Sequence, residues 1–193
     1  MNARRQSFLE AYKATQALAD KIARQPSLAL YSTPLQTRAS MDARDFVFFG
    51  GAPGVGKTRW LRRELVWTLE GSHPFPQVER PYRPPFTVWA VSTKLDKLCN
   101  DPNQLIQLIL ACFPPEHPMG APTRVGDYTW QWPNGVTLAA KTHSQSLEQF
   151  TGSAVVKSGI DEELHEEYID ELISRRGRAK GKIKFVATPA DAK

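Results

Sequence analysis

Gly51, Gly56, Lys57 and Thr58 stand at the spacing G-x-x-x-x-G-K-[ST]. They close the stretch Asp45-Phe-Val-Phe-Phe-Gly-Gly-Ala-Pro-Gly-Val-Gly-Lys-Thr58. These residue types suit one task, the holding of a polyphosphate. Gly51, Gly54 and Gly56 permit backbone conformations that a β-carbon forbids. The loop Gly51, Ala52, Pro53, Gly54, Val55, Gly56 can therefore turn backbone N–H groups onto phosphate oxygens. Lys57 has the reach for β- and γ-phosphates, and the Thr58 hydroxyl suits Mg²⁺. ATP and Mg²⁺ are the ligands this spacing predicts.

Such a loop needs a carboxylate on a neighbouring strand to complete the metal shell. Asp161 ends a short strand about a hundred residues downstream, and Glu162 follows it. Successive residues at a strand end face opposite ways, so Asp161 can meet the metal while Glu162 meets the attacking water. Glu163 is a rival base. The pair favours hydrolysis over transfer to an organic acceptor, which speaks against a small-molecule kinase. Thr188 ends the last strand and is placed to sense a γ-phosphate if that strand pairs with the one ending at Asp161. Arg175, Arg176, Arg178, Lys180, Lys182 and Lys184 form a basic run. Arg176 or Arg175 can supply γ-phosphate neutralisation, within the chain or to a neighbour, and the remainder can touch a nucleic-acid backbone or form a solvated face. Gln36 precedes the loop, and its amide carries the donor and acceptor that adenine requires; a solvated loop glutamine is the plainer reading.

These residues need a scaffold. Residues 46–49 read as a buried strand entering the loop. Leu61, Leu65 and Leu69 mark one face of the following helix, with Arg62, Arg63 and Glu64 elsewhere, and Gly71 suits its stop. Residues 71–85 are Pro-rich and read as a surface loop. A strand is expected over 86–92 and a helix from Asp101 to Phe113. Residues 129–141 read as a hairpin about Asn134-Gly135. Trp130 and Trp132 there either stack on bases or, as paired aromatics commonly do, pack a sheet face. Residues 144–152 suit a short helix, and 154–160 a strand made unusual by Lys157, Ser158 and Gly159. A helix through Leu164, Tyr168 and Leu172 and a strand over 183–187 complete the chain. His143 and His165 read as structural. Strands alternating with helices predict an α/β fold: a mostly parallel sheet of the P-loop NTPase (ASCE) type with helices on both faces. Residues 1–26 suit a helical arm, with Phe8, Tyr12, Leu18 and Ile22 on one side and Pro26 as its stop. Residues 27–40 read as irregular, and 27–193 as the ATPase domain.

Composition sets the outer bounds. With 193 residues the chain suits one domain and an appendage, and its net charge of +5 favours an anionic partner. Cys99 and Cys112 lack metal-site spacing and read as reduced thiols. The start has no signal-peptide character, and the longest apolar run, 108–113, is too short to span a bilayer. An intracellular protein with no membrane partner is expected.

Together these motifs resemble the ATPase part of the large terminase subunit, the DNA-packaging motor of tailed double-stranded DNA phages. The resemblance runs from about Tyr31 to Pro189. Pro34-Leu35-Gln36 is similar to that family's adenine motif, and Gly51 to Thr58 to its Walker A loop. Pro133-Asn-Gly and Ser146-Leu-Glu-Gln-Phe-Thr-Gly152 resemble the segment before its Walker B. Asp161-Glu162-Glu163 resembles the Walker B aspartate and catalytic glutamate. Arg175 or Arg176, Gly181 and Ala187-Thr188-Pro189 resemble its coupling motif. The resemblance implies ATP hydrolysis coupled to movement of viral double-stranded DNA into a prohead. It implies a homo-oligomeric ring, portal-protein and small-subunit partners, and the host cell cytoplasm as the place of action. It also implies a nuclease domain, which is not expected in a chain ending at Lys193. The loop itself carries no arginine, so Arg59, Arg175 or Arg176 is left to act as a finger. The alternatives are a helicase-loader-like ATPase, which needs a helical lid after the last strand, and a nucleotide-binding fragment without motor activity.

Overall fold

The computed structural model describes residues 3–142, 144–150, 154–162 and 164–188. His143, Gly152, Glu163 and Pro189 lie outside them. In chain order the elements are helix α1 (Ala3–Arg24), a 3-10 turn (Pro26–Ala29), α2 (Pro34–Ser40), β1 (Phe46–Gly50), α3 (Lys57–Glu70), β2 (Thr87–Ser92), α4 (Asp96–Cys99), α5 (Leu105–Leu110), β3 (Thr123–Gly126), β4 (Thr129–Gln131), β5 (Thr137–Thr142), a second 3-10 turn (Leu147–Phe150), β6 (Val155–Asp161), α6 (Glu166–Ala179) and β7 (Lys182–Ala187).

The seven strands form one sheet in the order β1-β7-β6-β2-β5-β4-β3. β1, β7, β6, β2 and β5 run parallel, and β5, β4 and β3 form an antiparallel meander. Helices cover both faces, as the alternation of elements predicts. α3 and α5 pack one face with Val47, Phe49, Val88, Ala90 and Leu138. α6 packs the other with Trp89, Val91, Ile160 and Ile183. Adjacent residues of β2 thus serve opposite cores, as the two-residue strand period requires. Asn134-Gly135 turns the chain between β4 and β5, with Gly135 at φ 85°. Trp130 and Trp132 are buried in the α3-side core, so they pack protein and are not available to bases.

Four local expectations are corrected. Residues 34–40 are helical, because Thr33 caps α2: its Oγ1 accepts from Gln36 N and its own N–H donates to Gln36 Oε1, with Pro34 at the first turn. β1 is an edge strand, so only Val47 and Phe49 are buried, while Phe48 is 53% exposed. The helix expected from Asp101 starts at Leu105. Asp101 instead forms a turn by accepting from Asn103 N, and Gln104 Oε1 accepts from the N–H groups of Asn100 and Asp101. On α3, Arg63 and Glu64 are buried along with the leucines.

β6 is central despite Lys157, Ser158 and Gly159, all of which are buried. Gly159 has a steric reason: a Cβ there would meet both Leu65 methyls at 2.8–2.9 Å. The missing side chain lets α3 lie close against the sheet. α1 is largely exposed along its length, including Phe8, Tyr12 and Leu18. Its lower end is tied through Gln25, whose Nε2 donates to Glu70 Oε2 at 3.2 Å. No helix among the described residues is long and apolar enough to cross a membrane.

Candidate nucleotide site

The register of the parallel strands brings three chain ends to one level. Gly50 of β1 stands beside Ala187 of β7, and Asp161 of β6 beside Val186. The loop leaves β1 here and enters α3, so the site sits at the carboxyl ends of the strands. A cavity of about 340 Å³ opens there, lined by Gly54, Gly56, Lys57, Thr58, Asp161 and Glu162 together with Pro53, Arg59, Ala187 and Thr188. Such a volume lies within the range of small-ligand sites.

The loop needs its glycines. Gly54 and Gly56 hold φ of 83° and 81°, a region that side-chain-bearing residues rarely adopt. A Cβ on Gly56 would also meet Gln36 Nε2 at 2.7 Å. The Lys57 ammonium donates to the carbonyls of Gly51 at 2.7 Å and Ala52 at 2.9 Å, curling over the loop. Lys57 and Thr58 are the first residues of α3, whose positive end points into the cavity.

Across the cavity the Thr58 hydroxyl donates to the Asp161 carboxylate, at 3.2 Å from Oδ2 and 3.3 Å from Oδ1. These residues are 103 positions apart in sequence. A hydroxyl and a carboxylate facing each other at the mouth of this glycine-rich loop are hard oxygen donors of the kind Mg²⁺ takes. The donor set therefore fits a Mg²⁺-nucleotide. Glu162 stands next to Asp161 with φ 78°, a left-handed conformation that costs a non-glycine residue stability. Its N–H donates to Val186 O at 2.8 Å, which anchors this bend to β7. The strained bend turns Glu162 into the same cavity as Asp161, where a regular strand would alternate them.

Two expected residues lie elsewhere. Gln36 is only 2% exposed and sits behind the loop. Its Nε2 donates to Gly56 O at 3.0 Å, and its Oε1 accepts from Thr33 N and from Arg63 Nη1. The amide expected to face adenine is thus engaged in bracing the loop. Arg176 pairs with Asp45 at 2.8 Å, before the first residue of β1 and at the opposite end of the strands from the cavity. It does not reach the cavity of its own chain. Arg175 pairs with Glu171, and Lys182 donates to the carbonyls of Ala43 and Val78. The basic run is therefore partly internal, with Arg175, Lys182 and Lys184 buried. Arg59 is the arginine that does line the cavity; its guanidinium lies 3.9 Å from the centre of the Tyr31 ring. Its position directly after Thr58, on the first turn of α3, was the available sequence signal.

Matched against protein-family models and against curated protein sequences, the chain finds no counterpart. Solved structures do resemble it. The large terminase of bacteriophage HK97 superposes with a TM-score of 0.61 at 13% identity, over 82% of this chain and 33% of that one. The large terminase ATPase domain of Thermus phage P74-26 gives a TM-score of 0.61 at 11% identity, over 84% of this chain and 67% of that one. The chain thus spans about a third of the HK97 protein. Its fold is that of a phage large-terminase ATPase domain, a P-loop NTPase sheet.

Proposed function

We propose that the chain hydrolyses ATP as the ATPase part of a large-terminase motor that drives viral double-stranded DNA into a prohead. The observation that carries this reading is the meeting of Thr58 and Asp161 across the phosphate loop, with Glu162 in the same cavity. The fold likeness points to the same class.

In this reading the loop from Gly51 to Gly56 holds the phosphates through its backbone N–H groups. Lys57 exchanges the Gly51 and Ala52 carbonyls for phosphate oxygens. Thr58 and Asp161 hold Mg²⁺. The metal, when bound, neutralises phosphate charge and orients the reacting oxygens. Glu162 orients the attacking water and takes its proton. Thr188, on the end of β7, senses the γ-phosphate and passes its loss to the surface that grips DNA. Arg59 is the arginine of this chain best placed to add charge at the phosphates. The active form is a homo-oligomeric ring with a portal protein and a small subunit as partners, acting in the host cell cytoplasm.

Steady-state ATP hydrolysis with and without double-stranded DNA tests the proposal. Turnover that needs Mg²⁺ and rises with DNA is expected, and Glu162→Gln should abolish it while keeping nucleotide binding. Undiminished hydrolysis by Glu162→Gln would remove Glu162 from the mechanism. Turnover indifferent to DNA would leave an ATPase without the motor.

A further inference from the structure

Beneath the phosphate site lies a second group of charges, sealed from solvent. Glu64 of α3, Lys157 of β6 and Lys184 of β7 are each 0% exposed, and Glu79 and His73 from the loop after α3 are also buried. Lys157 Nζ lies 2.7 Å from Glu79 Oε2 and 3.4 Å from Glu64 Oε2. Lys184 Nζ lies 3.8 Å from the same Glu64 oxygen. Thr68 Oγ1 donates to Glu79 Oε1 at 2.9 Å.

Glu64, His73 and Glu79 converge closely enough to suggest a metal site. The ring of His73 argues otherwise. Its Nδ1 accepts from Phe75 N, so the ring proton sits on Nε2, which faces Glu64 at 3.6 Å and has no lone pair to offer. The Lys157 ammonium already serves as the cation between the two carboxylates. Two acids, Glu64 and Glu79, stand against two lysines, Lys157 and Lys184.

The placement of these charges along their elements is the informative feature. Glu64 follows Lys57 by seven residues, two helical turns or about 10 Å. Lys157 precedes Asp161 by four residues, and Lys184 precedes Thr188 by four, each about 13 Å along its strand. The cluster therefore joins the three elements that carry the site. The rest of this interface is apolar, with Leu61 and Leu65 lying against Gly159. Apolar contact is non-directional and tolerates sliding, whereas ion pairs fix register. A buried ion pair is a poor source of stability, since apolar isosteres commonly do as well or better.

We propose that Glu64 is a positioning residue for the phosphate site. By engaging Lys157 and Lys184 from α3, it sets how the helix beginning at Lys57 and Thr58 stands against the strands ending at Asp161 and Thr188. This inference rests on the Mg²⁺-nucleotide reading of the cavity.

The test uses the full chain as wild type, Glu64→Gln, and the apolar double variant Glu64→Met/Lys184→Met, which keeps the Lys157–Glu79 pair. Thermal midpoints are measured beside the Mg²⁺ concentration that half-saturates binding of a fluorescent ATP analogue. Glu64→Gln should lower the thermal midpoint, and the double variant should regain it. Both should need more Mg²⁺, by about fivefold or more, the usual scale of coupling between linked sites. A double variant that regains wild-type Mg²⁺ dependence along with its stability would overturn the proposal and leave the cluster merely structural. So would an unchanged Mg²⁺ requirement in both variants. Should Glu64→Gln fail to fold, the double variant alone decides. A wild-type chain that binds the analogue without any Mg²⁺ dependence would instead refute the reading of the cavity itself, and the positioning role with it.

Discussion

The same three elements carry charge at two levels, and the two levels behave oppositely. At the carboxyl ends of β6 and β7, Asp161, Glu162 and Thr188 face an open cavity with Lys57 and Thr58. Two helical turns below, Glu64, Lys157 and Lys184 face one another together with Glu79 and His73, all of them buried. In the sealed level, burial by itself would raise the Glu64 carboxyl; Lys157, His73 and Lys184 outweigh it and hold the group well below the ordinary carboxylate range. Burial also pulls the Lys184 ammonium down to about 8, with Glu64 opposing. Charges that answer one another organise the fold. The charges that line the cavity are the ones proposed for chemistry.

Substitutions in the two levels should therefore separate activity from stability. The largest effect belongs to the upper level. On the proposed reading, Lys57→Ala removes a charge that meets the phosphates and should lower turnover by about 10²–10³-fold with a near-unchanged melting profile, measured by steady-state hydrolysis and scanning calorimetry. In the lower level, Glu64→Ala leaves buried lysines unmatched and should cost about 3–5 kcal/mol in denaturant titration. Glu162→Gly relieves a left-handed glutamate and should raise stability by about 1 kcal/mol while eliminating hydrolysis, so that one substitution moves the two readouts in opposite directions.

Smaller effects sharpen the contrast. Arg176→Ala breaks a partly exposed pair far from the cavity and should cost under about 1 kcal/mol, with basal turnover of the isolated chain unchanged. Loss of basal turnover would return Arg176 to the catalytic machinery. The pH dependence is the subtlest. Lys184 falls from its ordinary 10.5 to about 8 in the folded chain. Between those values the unfolded chain binds more protons, so stability from this group rises with pH across that window and is lowest below about 8. Wild type should therefore gain stability relative to Lys184→Met from pH 8 to 10, in denaturant titrations on both proteins. Glu64, Glu79, Lys157, Lys182 and His73 surround the group and remain in both proteins.

The upper level was legible in the sequence and the lower was not. The glycine-rich loop is local: its glycines, Lys57 and Thr58 lie within eight positions and announce their backbone needs. Asp161-Glu162 was readable because a carboxylate pair ends a short strand about a hundred residues after the loop. The left-handed turn at Glu162 was not, since nothing in a glutamate codon position signals positive φ. Lys157 and Lys184 looked like interruptions or surface charge, because their partners Glu64 and Glu79 lie about a hundred positions away and only the parallel pairing brings them together. The exposure of Phe46 and Phe48 depends on β1 lying at the sheet edge, which strand order decides and local pattern does not. The arginines at 175 and 176 were readable as charge, but which end of the sheet they occupy follows from the direction of α6. Gln36 shows the same limit: its type suits adenine, yet capping of α2 turns it inward to Gly56.

The central claim is that Thr58 and Asp161 together hold the metal of a bound nucleotide. Titrating a fluorescent ATP analogue against Mg²⁺, in the wild type and in Asp161→Asn, tests it most directly. The expected result is tight, Mg²⁺-dependent binding in the wild type and binding in Asp161→Asn that Mg²⁺ no longer strengthens. Identical Mg²⁺ dependence in the two proteins would contradict the claim.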